Sequence, residues 1–369
     1  MKPTRGRFVL VESLTELDRR LSRGTRDLTG WRLVGLDLRR HSETLAACDT
    51  SRTTFAGCTL APGDETEHLR RGALVLPAVG ITPVDPRRAT LYAPEELYDY
   101  PDYQRTLDGR AYAWQQEDAG PDAAIAQTLH DHAVDVALGA WVSGRELAGV
   151  MGGHAARRGS RAYDDAARLG CALGTELTVA TGGGPGAMEA ANLGARFARS
   201  GGDALAGALE RVAETASFRP SIDAWVSSAR RALELCAEPV ESLGIPTWHY
   251  GHEPPNLFAT AVAKFFRNAQ REAILLQLCN RGIAFLPGAG GTVQEIFQDA
   301  CENYYASEDS VAPMVLIGTE YWTERHPAWP LLRSLAAGRP MEDRIHLVET
   351  VEEAAAIMLE VPGRPQPRL

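Results

Sequence analysis

Two glycine-rich turns hold the residue types most able to do chemistry in this chain. They are Thr181-Gly182-Gly183-Gly184-Pro185-Gly186-Ala187-Met188 and Pro287-Gly288-Ala289-Gly290-Gly291-Thr292-Val293-Gln294-Glu295. Each follows a short apolar run, Leu177 to Ala180 and Ile283 to Leu286, and each precedes a segment with helical spacing. Strand, glycine turn, helix is the arrangement that turns backbone N–H groups and a helix N-terminus toward a phosphate. One such turn is weak evidence, because many tight turns use glycine for its backbone freedom. Two with the same flanks point to a nucleotide held between them, with Glu295 as a carboxylate one turn into the second helix.

A third candidate is Gly152-Gly153-His154, at the end of the apolar run Leu147 to Met151. Its histidine could contact ribose or phosphate, or serve as a structural donor. A fourth is Trp248-His249-Tyr250-Gly251-His252-Glu253-Pro254-Pro255-Asn256. The prolines break the helix that an i, i+4 metal pair would need, so no metal site is expected there. It reads as a substrate-facing loop, with Tyr250 or His252 near a base and Asn256 capping the next helix.

The elements that position these residues alternate strand and helix from Arg145 onward. Strands are expected at 147–151, 177–180, 244–250, 283–286, 314–318 and 345–348. Helices are expected at 162–173, 186–198, 256–278, 292–304, 330–337 and 351–359, with more helix over 203–240 broken near Pro220. This alternation predicts an α/β fold: a Rossmann-like, doubly wound parallel sheet with helices on both faces. Ligands in such sheets bind beyond the carboxyl ends of the strands, where both glycine turns fall. Residues 1–140 have a different texture and read as a smaller N-terminal α+β accessory domain, with 141–369 as the nucleotide-binding domain. Leu14 to Leu21 reads as a helix and Ala123 to Ala140 as another. Leu28, Leu33 and Leu38, then Phe55 and Leu60, recur at intervals of five, as in a pentapeptide-like β segment or an irregular meander. Residues 77–101 read as an extended connection.

Val150-Met151-Gly152-Gly153-His154, Tyr163 with Ala166 to Gly174, the Gly182–Met188 turn and Pro287–Glu295 occur in this order. Together they resemble the Lonely Guy (LOG) family, including the bacterial nucleotide 5′-monophosphate nucleosidases. The family signature is a Pro-Gly-Gly-x-Gly-Thr-x-x-Glu turn with a Gly-Gly-Gly turn upstream. The resemblance spans residues 145–350, and the larger pyrimidine/purine nucleotide nucleosidases, which carry an extra N-terminal domain, are nearer in architecture than the small plant-type enzymes. It implies cleavage of a nucleoside 5′-monophosphate to free base and ribose 5-phosphate. It also implies a homo-oligomer, at least a dimer, with no metal or redox cofactor.

On this resemblance Glu295 is the essential carboxylate. It would stabilise an oxocarbenium-like ribose and activate water, by analogy with glycoside hydrolysis. Otherwise it is an acid that complements a helix dipole. Arg271 corresponds to a catalytic arginine upstream, with Arg267 a competitor; a guanidinium suits a phosphate or the ribose hydroxyls. Thr292 and the N–H groups of Gly290 and Gly291 would hold the 5′-phosphate, in a turn begun by Pro287 and Gly288. Gly183, Gly184 and Gly186 would let the chain pass close to the ligand, Met188 would line the base pocket, and Gly152, Gly153 and His154 would complete the rim. Two positions depart from the family: Ala289 stands where glycine is usual, and Glu189 where small members often have glycine. An alanine is expected to narrow the backbone angles of the turn or block close phosphate approach. That departure favours the alternative function, a nucleotide-binding sensor or carrier without catalysis.

Composition excludes other classes. The chain has 369 residues, 44% hydrophobic and 23% charged, as in ordinary globular proteins. A net charge of −10 argues against a nucleic-acid binder. Of the 38 basic residues only Lys2 and Lys264 are lysines, which leaves little for the Schiff base of a lysine decarboxylase, a name often given to relatives of this family. The turns do not give Gly-x-Gly-x-x-Gly with a ribose-binding acid on a second strand, so a Rossmann dehydrogenase is disfavoured. Six cysteines without Cys-x-x-Cys spacing read as small apolar residues in a reducing compartment. Glu12, Glu16 and Asp18 interrupt any signal-peptide pattern, and no apolar run suits a membrane span, so the cytoplasm is the expected location.

Overall fold

The computed structural model describes residues 9–77, 82–117, 120–249, 253–360 and 364. Contacts divide the chain into two compact units, Met1–Thr82 and Pro83–Leu369, so the division falls earlier than the 140 read from sequence texture.

The first unit is a four-stranded parallel sheet in the order β1 (Val9–Val11), β2 (Trp31–Val34), β3 (Thr54–Ala56), β4 (Leu74–Leu76). The helices Leu14–Ser22, Ser42–Ala46 and Asp64–Arg70 lie between consecutive strands. Leu28, Leu33, Leu38 and Phe55 are buried, as their spacing suggests, but the repeating unit is longer than five residues. Asp27–Leu38 and Asp49–Leu60 are offset by 22 residues, and the register pairs Arg32 with Thr54 and Thr54 with Leu74. Each strand therefore ends one strand–helix coil of a small solenoid. The same local devices recur in it. Asp27 and Asp49 each accept the N–H two residues on, from Thr29 and Ser51. At the bend before each strand the backbone is left-handed in three successive coils, at Gly30 (φ 77°), Arg52 (φ 59°) and Gly72 (φ 86°). Arg52 is the one non-glycine with positive φ among the described residues.

The second unit holds a seven-stranded parallel sheet. Its strands are β5 (Leu147–Met151), β6 (Thr178–Thr181), β7 (Ser242–Gly244), β8 (Ala261–Val262), β9 (Ile283–Phe285), β10 (Met314–Ile317) and β11 (Ile345–Val348), in the order β11-β10-β9-β5-β6-β7-β8. The central strands β5 and β9 and the neighbouring β10 are buried and entirely apolar, as a parallel sheet covered on both faces requires, while the edge strand β11 is half-buried. Helices Arg161–Leu173 and Ala187–Arg196 pack backbone to backbone. A Cβ on Gly194 would stand 1.8 Å from the Ala167 carbonyl oxygen, so the small residues there are a packing requirement.

Residues 83–142 belong to this unit by their contacts. Tyr92 exchanges backbone hydrogen bonds with Val262, and the helix Gly120–Val142 sends Val134, Leu138 and Val142 into the same core. Asp108, buried, accepts from Tyr103 Oη (2.6 Å), Trp248 Nε1 (2.8 Å) and Lys264 Nζ (2.6 Å). Asp131 accepts the Phe266 and Arg267 N–H groups. Lys264 is thus a buried structural ion, its pKa lowered by burial against the pull of Asp108, and no free amine.

Two expected elements change. The strand read over 244–250 is β7, which lies earlier and ends at Gly244. The helix read over 256–278 begins only at Asn268 and ends at Leu278, and the stretch ahead of it contains β8. Residues 257–263 are almost all buried, and a continuous apolar run does not distinguish a buried strand from a buried helix. Asn256 accordingly caps a turn instead of a helix, its Oδ1 accepting from Phe258 N and Ala259 N at 3.0 Å each.

Candidate functional site

The strand order places β5 between β6 and β9, so successive connections leave β5 in opposite directions. The carboxyl ends flanking such a switch point form the crevice where ligands bind in doubly wound sheets. Three loops meet there: Gly152-Gly153-His154 after β5, the Gly182–Gly186 turn after β6, and the Pro287–Gly291 turn after β9. Backbone hydrogen bonds join them. Gly153 N donates to Pro287 O (3.2 Å) and Ala187 N to Gly153 O (3.2 Å). Gly186 has φ 77°, and a Cβ on it would lie 2.6 Å from the carbonyl oxygens of Gly153 and His154. The first turn is also braced from below. Gly183 N donates to Thr181 Oγ1 (3.0 Å), Thr181 Oγ1 to Asn192 Oδ1 (2.7 Å), and Asn256 N to Gly183 O (2.8 Å).

Arg271 and Glu295 come together across this crevice. Arg271 lies on the helix Asn268–Leu278 and is 9% exposed. Its Nε donates to Ile245 O (2.6 Å) and its Nη2 to Gly182 O (3.2 Å), which leaves Nη1 facing Glu295 Oε1 at 3.7 Å. At that separation the two attract without a hydrogen bond, so both keep donor and acceptor capacity for a ligand. The Glu295 side chain is 13% exposed. Burial raises its pKa from 4.5 to about 7, with Arg271 opposing the rise and Glu272 adding to it. A carboxylate that titrates near neutrality inside a crevice is suited to proton transfer. Arg267, the competing arginine, is exposed at the start of the same helix.

The helix that carries Glu295 spans Gly290–Tyr305. The N–H groups of Gly290, Gly291 and Thr292 fall in its first turn and have no acceptor within the helix. Gly290 and Gly291 are exposed, and a Cβ added to either would meet nothing within 4 Å, so the space over this N-terminus is open. Thr292 is buried, its Oγ1 2.1 Å from where a Cβ on Gly288 would stand. Ala289 has φ −104° and ψ −136°, so it does not occupy the left-handed region that favours glycine. Pro287 is exposed and Gly288 buried.

The remaining expected residues are placed as follows. Met188 is half-buried, with Sδ 2.6 Å from the position of a Cβ on Gly182. Gly152 is buried against Ala187 and Leu286, and Gly184 lies near Met188 and Glu253. His154 is exposed, its Nδ1 3.7 Å from Glu253 Oε1, and it lines a separate cavity instead of facing Arg271. His249 is described, while Tyr250 and His252 lie outside the described residues.

Two contributors escaped the sequence reading, and a third residue it had noted, Glu189, has a partner it had not. Gly182 makes room for the arginine: a Cβ on it would sit 2.2 Å from Arg271 Nη2. Tyr321, on a π-helical turn Tyr321–Arg325, donates to Gly288 O (2.8 Å) and braces the second turn from outside. Glu189 is fully buried in an ion pair with Arg158, whose Nε–Oε1 distance is 3.1 Å and whose Nη1 also reaches Ser228 Oγ (2.7 Å). An acid in place of the family's glycine was the visible signal for this pair; nothing local announced the other two. Among the described residues no group of three or more potential metal ligands is present, and no helix is long and apolar enough to cross a membrane.

No protein-family model matches the sequence, and no curated protein matches it. Solved structures resemble the fold distantly. A molybdenum cofactor binding protein from Rippkaea orientalis shares 14% identity over 58% of this chain and 96% of its own, with a TM-score of 0.37. A Moco carrier protein from Chlamydomonas reinhardtii shares 18% identity over 59% of this chain and 99% of its own, also at 0.37.

Proposed function

We propose that this chain hydrolyses the N-glycosidic bond of nucleoside 5′-monophosphates to free base and ribose 5-phosphate. The observation that carries the reading is the convergence of Arg271 and Glu295 beside an open helix N-terminus on the same crevice. The N–H groups of Gly290, Gly291 and Thr292 receive the 5′-phosphate. That anchors the ribose within reach of Glu295, five residues into the helix. The Glu295 carboxylate accepts a proton from water as the water oxygen bonds to C1′. The C1′–N bond breaks, its electron pair stays on the base, the base takes a proton from solvent as it leaves, and Glu295 returns its proton to solvent. Positive charge that develops on the ribose faces the carboxylate. Arg271 is held by two backbone carbonyls and points its free nitrogen at Glu295 and the ribose hydroxyls. Ala289 does not take a left-handed φ, so a need for glycine there is no argument against catalysis; a carrier that binds the nucleotide without cleaving it is the second reading.

Because Glu295 acts in its charged form, kcat/KM rises with pH through about 7 and levels off above it. The test is a panel of nucleoside 5′-monophosphates incubated with the protein and with E295Q, free base being separated by chromatography. Base release abolished in E295Q supports the reading; binding of a monophosphate without base release by the wild-type protein refutes it in favour of a carrier.

A further inference from the structure

A cavity of about 250 Å³ opens on the other side of the first glycine turn, against Pro185 and Gly186. Arg271, Glu295 and Gly290–Thr292 do not line it. Its floor is the buried Arg158–Glu189 pair, whose charges offset each other. Two further arginines line it from separate loops, Arg157 after β5 and Arg219 ahead of the helix Ile222–Leu233. Both residues are exposed, and neither has a carboxylate partner among the described residues. Arg219 lies only over the Phe218 ring, 5.5 Å from its centroid. Two unpaired arginines at one small cavity are suited to an oxyanion, which a guanidinium holds through paired N–H donors.

The rest of the lining is not that of a bare phosphate site. Phe218, Trp225, Ser217 and Glu253 also line it, with Ser217 Oγ accepting from Arg219 N (3.2 Å) and the Glu253 carboxylate faced by His154 at 3.7 Å. A carboxylate repels phosphate but accepts from hydroxyls, and an aromatic face covers the C–H side of a sugar ring. The volume lies below the ~300–1,000 Å³ of pockets for drug-sized ligands, which is too small for a dinucleotide. We propose that this cavity is a second ligand site that binds a phosphorylated sugar, its phosphate on Arg157 and Arg219 and its hydroxyls on Glu253 and Ser217.

The probe is ribose 5-phosphate, titrated calorimetrically into the wild-type protein, R157Q/R219Q, E295Q and R161Q. The last removes an arginine whose side chain is 93% exposed and controls for general charge. A binding step present in wild type, E295Q and R161Q is expected to weaken at least tenfold in the double variant, with its melting temperature unchanged. Each single variant loses part of the affinity, which keeps the test open if the double variant fails to fold. An unchanged step in the variants, equal weakening in R161Q, or no binding by wild type at millimolar ligand overturns the proposal. Inorganic phosphate binding as tightly as ribose 5-phosphate overturns the sugar assignment. Base release is assayed on the same proteins. Its absence with this step intact would sink the nucleosidase reading alone.

Discussion

Replacing Asp299 by asparagine is predicted to change how the stability of the larger unit depends on pH. Asp299 lies one turn beyond Glu295 on the helix Gly290–Tyr305, is 1% exposed, and neither carboxylate oxygen has a hydrogen-bond partner among the described residues. Burial lifts its pKa from 3.8 to about 7, opposed by Arg364 and helped by Glu302. The folded state therefore holds a proton that the unfolded chain releases at lower pH, so this group's contribution to stability is fully present below about 3.8 and is lost as pH rises through about 7. At ~1.4 kcal/mol per pH unit the rise from 3.8 to about 7 amounts to about 4 kcal/mol lost between the two limits. Asparagine removes the ionisation but buries an amide whose N–H groups lack acceptors, at a cost of about 1–3 kcal/mol. D299N should thus be less stable than wild type at pH 4 and as stable or more stable at pH 8. At about 2 °C per kcal/mol for a unit this large, the difference in melting temperature should swing by several degrees across that range. Scanning calorimetry of both proteins at pH 4, 6 and 8 measures it. A difference that stays constant with pH would show that Asp299 titrates normally and is not desolvated as described. Glu295 gives wild type and variant alike a smaller slope of the same sign, because its pKa is also raised to about 7.

Other consequences can be checked separately. R52G should stabilise the first unit by about 0.5–1 kcal/mol in urea unfolding, since it relieves a left-handed arginine at a bend where the neighbouring coils use glycine; a loss of stability would refute the repeat. G182A should cut base release at least a hundredfold with an unchanged circular dichroism spectrum, because the new methyl group occupies the place of Arg271 Nη2; full activity would remove Arg271 from the mechanism. Y321F should raise KM several-fold, as expected for about 1 kcal/mol of lost hydrogen bonding to the second turn, with kcat nearly unchanged; an effect on kcat alone would contradict a bracing role. D108A should destabilise the larger unit by about 3–5 kcal/mol, for it strands the buried Lys264 ammonium; a melting temperature equal to wild type would show that the lysine is neutral or solvated.

The parts of this fold legible in the sequence were those with a local signal. Leu147–Met151 and Ile345–Val348 appear as strands at the expected bounds, because short apolar runs flanked by turn residues leave little ambiguity of length. Both glycine turns lie at strand ends next to helices for the same reason. The 256–278 segment misled because burial on every side erases periodicity. The first unit misled differently. Its apolar residues at intervals of five are buried, yet the coil length shows only when Asp27–Leu38 is aligned with Asp49–Leu60 across an intervening helix. Glu295 and Arg271, singled out from spacing and resemblance, meet at 3.7 Å in the structure, whereas the room that Gly182 leaves for Arg271 depends on a helix 89 residues away in sequence. Tyr321 stands 33 residues from Gly288 in sequence, and only the assembled sheet brings it there.

The central claim is that Glu295 and Arg271 act on a nucleotide anchored at Gly290–Thr292. Single-turnover base release with excess protein tests it most directly, alongside calorimetric binding of the same monophosphate to wild type and E295Q. Retained binding with base release lowered at least a thousandfold in E295Q is the predicted result. Equal base release by E295Q and wild type, or no release by either, would contradict it.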